Sequence, residues 1–147
     1  MTQIAFHFNA PDKLAYACRV ARKALRHEQR LVITAPPDIL AELDPMLWQW
    51  APEEFIAHCG AEASEELLDA SPVLLLPDPR QARHHQVLLN LGTTVPAGFE
   101  QFERLIEVVS MGDDTDRQHA RARWRDYSSQ GYAIVRHDLA PEGRNPR

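Results

Sequence analysis

Residues 3–34, QIAFHFNAPDKLAYACRVARKALRHEQRLVIT, decide the fold. QIAFHF alternates and carries two phenylalanines, the pattern of a strand with one face buried. Asn9, Pro11 and Asp12 then mark a helix start. Leu14, Ala17, Cys18, Ala21, Ala24 and Leu25 recur at helical spacing, while Lys13, Arg19, Arg22, Lys23 and Arg26 fill the other faces, so the segment predicts an amphipathic helix laid on a sheet. RLVIT (30–34) is short, β-branched and almost wholly apolar, as buried parallel strands are, and Pro36-Pro37 stops it. Strand, helix, strand within this length is a βαβ unit, whose crossover is right-handed in nearly all proteins.

Outward from that unit the alternation continues. ILAELDPMLW (39–48) predicts a helix interrupted at Pro45, after which Trp48, Trp50 and Phe55 crowd together beside Pro52. Residues 60–71 are acidic and read as a surface connection. PVLLL (72–76), QVLLNL (86–91) and RLIEVVS (104–110) are strand candidates, with a polar loop over 77–85 and a short helical turn at 99–102. Residues 113–132 predict a polar helix opened by Asp113, Asp114, Thr115 and Asp116 and closed near Gly131. Residues 132–135 give a last extended piece. The expected organisation is one α/β domain over 1–138, three layers deep around a mostly parallel sheet flanked by helices, with a flexible tail over 139–147.

Composition narrows the function. The 147 residues are 44% hydrophobic and 25% charged, ordinary for one globular domain. A formal net charge of −5 argues against a broad nucleic-acid grip, so contact with DNA is expected to be mainly indirect. Cys18 and Cys59 have no C-x-x-C spacing, and the N-terminus lacks basic and long apolar regions. With no run long enough to span a bilayer, the expectation is a cytoplasmic protein without membrane contact.

The familiar reaction motifs are absent. None of the six glycines falls into G-x-G-x-x-G or G-x-x-x-x-G-K-[ST], and the turn after the first strand has no glycine. The histidine pairs and neighbours, His58-Cys59 and His84-His85, lack H-x-x-x-H or H-E-x-x-H spacing, and no serine lies in G-x-S-x-G. No catalytic residue, metal or cofactor is expected. The competing reading is a small α/β nucleotide-binding protein or hydrolase using His58, His84 or His85.

Within the last helix, Arg117, Arg121 and Trp124 are three and four residues apart and share one face. Two guanidinium groups beside an aromatic surface suit an acidic, partly apolar peptide. Ala120, Trp124 and Tyr127 also form an i, i+4, i+7 stripe, the spacing of a core face with the arginines solvated on its flank. The aromatics at 48, 50 and 55 carry the same pair of readings, core anchors or an interface.

Several stretches, in order, resemble the chi subunit of bacterial DNA polymerase III. They are ACRVARKAL (17–25), RLVIT (30–34), LDPMLWQWAPEEFIAH (43–58), LLNLG (88–92), FERLIEVV (102–109) and RARWRDYSSQGY (121–132). The resemblance implies a non-catalytic adaptor with a Rossmann-like fold but no nucleotide-binding loop. Its implied partners are the psi subunit of the clamp loader and the acidic, aromatic-ended tail of single-stranded DNA-binding protein. The family's tail-binding positions fall on Arg117, Arg121 and Trp124, and its psi-facing positions on Trp48 and Phe55. Ala57 stands where proline is usual, and Glu28 where glycine is common.

Overall fold

The computed structural model describes residues 1–50 and 55–140. Seven strands and four α-helices follow one another along the described chain: β1 (Gln3–Ala10), α1 (Lys13–Arg26), β2 (Leu31–Thr34), α2 (Pro37–Gln49), β3 (His58–Gly60), α3 (Glu65–Ala70), β4 (Val73–Leu75), β5 (Val87–Asn90), β6 (Arg104–Ser110), α4 (Asp114–Ser129) and β7 (Ile134–Asp138). The strands form one seven-stranded sheet in the order β3-β4-β2-β5-β6-β1-β7, and every pairing is parallel. The expected three-layer α/β architecture is present, with a wholly parallel sheet where a mostly parallel one was expected.

Two cores follow from the pleat. On one face Leu31, Ile33 and Leu89 pack with Ala17, Ala21, Leu43 and Leu47 of α1 and α2. On the other face Val32, Leu88, Ile4 and Phe6 pack with Leu68 of α3 and with Ala120 and Tyr127 of α4. Alternate residues of one strand thus serve opposite layers, which explains why the central strands read as unbroken apolar runs.

Helix ends obey their local chemistry. Asp12 caps α1 by accepting from the N–H groups of Leu14 and Ala15. Asp113 accepts from Asp116 at the start of α4. Asp116 in turn accepts from the Ser110 N–H at 2.8 Å and from Lys13 at 3.3 Å, fastening α4 to the ends of β6 and α1. Burial alone would raise its carboxyl, but the Ser110 N–H and the Lys13 ammonium hold it below the ordinary value. Gly131, at φ 89°, ends α4: its N–H donates to Ser128 and that of Tyr132 to Tyr127.

Three local readings are corrected. Pro45 does not interrupt α2, which runs through it; Pro45 and Ala41, whose carbonyl loses its partner, are both exposed to water. The acidic stretch 60–71 contains α3, capped by Ser64, and it follows the three-residue strand β3. The loop over 77–85 includes a 3-10 turn at Pro79–Gln81, capped by Asp78. In the expected tail, Leu139 still donates to the Phe8 carbonyl and packs against the α1–α2 core, and residues 141–147 lie outside those described.

Candidate functional site

A hollow of about 450 Å³ opens between α4 and the β1–β7 edge. Its floor is apolar: Phe6 and Phe8 of β1, Val109 of β6, and Ala120 and Trp124 of α4. Phe6 and Phe8 face this side because the period of a strand is two. The Trp124 ring lies 5.0 Å from that of Phe6. Four arginines line the same hollow, Arg117, Arg121 and Arg125 of α4 and Arg136 of β7. Arg136 lies 4.7 Å over the Phe8 ring.

Arg117, Arg121 and Trp124 therefore border one cavity. Trp124 is half-buried at the border of the stripe whose other members, Ala120 and Tyr127, are buried, so core and cavity wall share one helix face. Arg117 forms an ion pair with Asp114 one turn earlier. Such exposed pairs are worth well under about 1 kcal/mol and exchange readily for another carboxylate. Arg125 continues the four-residue step from Arg117 and Arg121, a signal present in the sequence. Arg136 required knowing that β7 pairs with β1, and Phe6 and Phe8 that α4 packs over this face of β1.

Behind the hollow, α4 is anchored by a buried polar network. Arg123 Nε donates to Glu107 at 3.0 Å, Tyr127 OH donates to the other carboxylate oxygen at 2.5 Å, and the Asn90 amide donates at 3.0 Å. Arg123 also donates to the Thr93 carbonyl at 3.0 Å. Burial pushes the Glu107 carboxyl upward, opposed by Arg123 and its hydrogen bonds; burial and Glu107 together push the Tyr127 hydroxyl well above the ordinary phenol.

The second aromatic cluster lies at the opposite edge of the sheet. Trp48 is 47% and Phe55 70% exposed, with ring centroids 5.0 Å apart, so both are surface groups and not core anchors. Pro52, the expected neighbour of this cluster, lies outside the described residues.

The histidines do not assemble a reaction centre. His58 contacts Asp44, His84 contacts the Ser71 carbonyl, and His85 lies edge-on to Phe102. Among the described residues no three His, Cys, Asp or Glu side chains are placed to hold a metal. The crevice at the ends of β2 and β5, where α/β folds hold nucleotides, is walled by Pro36, Pro37, Pro77, Pro79 and Pro96. Gly92, Thr93, Thr94 and Arg80 also line this crevice, with the Arg80 guanidinium held by the Asp78 carboxylate at 2.8 Å. The Thr34 hydroxyl and Asn90 amide of the crevice already serve Pro77, Thr94 and Glu107.

The family model described as "DNA polymerase III chi subunit, HolC" matches residues 1–135 of this scaffold. The chain belongs to the DNA polymerase III chi subunit family. A DNA polymerase III subunit chi from Pseudomonas aeruginosa is 32% identical over 144 residues, covering 95% of this chain and 98% of the relative. One from Haemophilus influenzae is 28% identical over 121 residues, covering 80% and 81%. Membership makes the chain an accessory subunit of the polymerase III assembly and no enzyme by itself. No helix among the described residues is long and apolar enough to cross a membrane.

Proposed function

We propose that this chi-family chain is an adaptor that joins the clamp loader, through a psi subunit, to the acidic C-terminal tail of single-stranded DNA-binding protein in the cytoplasm. The observation that carries the reading is the convergence of Arg117, Arg121, Arg125 and Arg136 on an aromatic floor, in a chain whose formal net charge is −5. Concentrating cations at one hollow of an acidic protein favours an acidic peptide, and the floor receives its terminal ring. A free carboxylate at the peptide's end would give the guanidinium forks a bidentate partner. The exposed Trp48–Phe55 pair supplies the surface for psi, since exposed aromatics of this size are enriched at interface centres. DNA is reached indirectly, through the coated strand.

The test is a labelled acidic peptide ending in phenylalanine, titrated against the intact chain. Arg121→Ala should weaken binding roughly tenfold or more, since a charge-assisted hydrogen bond is worth about 1.5–3 kcal/mol. Amidating the peptide's C-terminus should do the same. Unchanged affinity for both would remove the assignment of this hollow.

A further inference from the structure

The exposed Trp48–Phe55 pair rests on a part-buried His58–Asp44 contact. Trp48 lies one turn beyond Asp44 on α2, and beneath its indole, at 4.2 Å between ring centroids, lies the ring of His58 at the start of β3. The His58 side chain is 1% exposed, against 47% for Asp44. Its Nδ1 is 2.7 Å from the Ile56 carbonyl oxygen and its Nε2 is 2.8 Å from an Asp44 carboxylate oxygen. A carbonyl and an ionised carboxylate offer only lone pairs, and a neutral imidazole has one N–H to give. Both contacts are hydrogen bonds only when the ring is an imidazolium. Of the elements around the ring, α2 brings Asp44 and β4 brings uncharged Val73 in register. On α3, which packs on β3, Glu65 and Asp69 are turned to Arg83. Asp44 is thus the charged group in contact with the ring among the described residues.

We propose that His58, as an imidazolium held between Asp44 and Ile56, is a positioning residue that fixes the Trp48 indole by a cation–π contact in the orientation presented to a psi subunit. The inference rests on the reading of Trp48 and Phe55 as the psi-facing surface. Held at both nitrogens, the ring keeps the indole from exploring other rotamers before the partner arrives. Pre-organisation of this kind lowers the ordering cost of association. The aromatic face is then tuned by proton activity, being best ordered when His58 is charged.

The experiment follows the His58 ring protons and the Trp48 indole N–H by NMR in the whole chain over roughly pH 5.5–8.5. Affinity for the purified psi subunit of the same organism is measured across that range. The two resonances should titrate with one midpoint, and psi affinity should fall about tenfold as the ring loses its proton. Asp44→Asn, a change at a half-exposed helix position, should flatten both profiles while leaving peptide binding at the arginine hollow intact. His58→Phe should keep the stacked ring but abolish the pH dependence. A Trp48 resonance that stays fixed while His58 titrates, or a full pH profile in Asp44→Asn, would overturn the assignment. If Trp48→Ala leaves psi affinity unchanged while the two resonances of the wild-type chain titrate together, the psi reading fails and the role of His58 in positioning the indole stands.

Discussion

At Arg123 the chain places a 2% exposed guanidinium against Glu107, which is wholly buried, so neither charge is compensated by water. Removing one partner leaves the other stranded, and Arg123→Ala should destabilise the fold by about 3–5 kcal/mol in chemical denaturation. Replacing both together, as Arg123→Met with Glu107→Leu, should cost far less, because two desolvation penalties disappear along with the pair. A single mutant as mild as the double would show that the network is not the anchor of α4. His7 offers a second residue-scale test. Burial, followed by His137, Arg104 and Lys23, lowers its pKa from 6.5 to about 4, and the neutral ring accepts from the Tyr16 hydroxyl at 2.5 Å. Because the folded-state value is depressed, the stabilising contribution is present above 6.5 and is lost as pH falls toward 4, where the unfolded chain binds a proton the folded chain refuses. The thermal midpoint of the wild-type chain should therefore drop between pH 7 and 5 more steeply than that of His7→Phe, measured by circular dichroism. Parallel slopes would place the pH sensitivity elsewhere.

Among the elements, α1 ends in a way the family resemblance hinted at. Glu28 occupies φ 55°, its N–H donates to Leu25, and Gln29 donates to Ala24, the paired bonds of a Schellman ending. A side chain at this left-handed position is strained by about 1–2 kcal/mol relative to glycine. Glu28→Gly should therefore raise stability by up to about 1 kcal/mol after the extra unfolded-state entropy of glycine is subtracted, and a lower denaturation midpoint would contradict it. The glycine expected at this turn was legible only through the family pattern, whereas α1 itself was legible from its own apolar spacing. β3 and α3 were not legible, because HCG is too short to alternate and EELLDA buries only Leu68. Pro45 misled for a complementary reason: at a solvent-facing position water can take up the freed Ala41 carbonyl, which lowers part of the cost that normally ends a helix. In the hollow, Arg117, Arg121 and Arg125 follow from helical spacing. Arg136 does not, since it reaches the same cavity only because β7 lies beside β1, a fact of strand order.

The whole molecule separates its two proposed docking faces by the full width of the sheet. Trp48 stacks on His58 of β3 at one edge, and the arginine hollow is built on β1 and β7 at the other. Six interstrand spacings put these edges roughly 29 Å apart. Groups so far apart with no shared partner behave additively to within about 0.5 kcal/mol. Besides apolar side chains, the buried interior holds the Glu107 network on the α4 side and the separate polar residues Thr34, Ser71 and His84. Arg121→Ala should thus weaken the acidic peptide and leave psi binding unchanged, Trp48→Ala should do the reverse, and the double variant should show the sum of the two. Salt should divide them too: the guanidinium contacts lie at the surface, where charges are screened beyond about 8 Å at physiological ionic strength, while the aromatic contact is governed by apolar burial. Raising salt should release the peptide while psi stays bound. A chain immobilised through psi should still capture the peptide with its solution affinity, and a shift greater than about threefold on psi binding would show the two faces to be coupled through the sheet and the rigid-spacer account to be wrong.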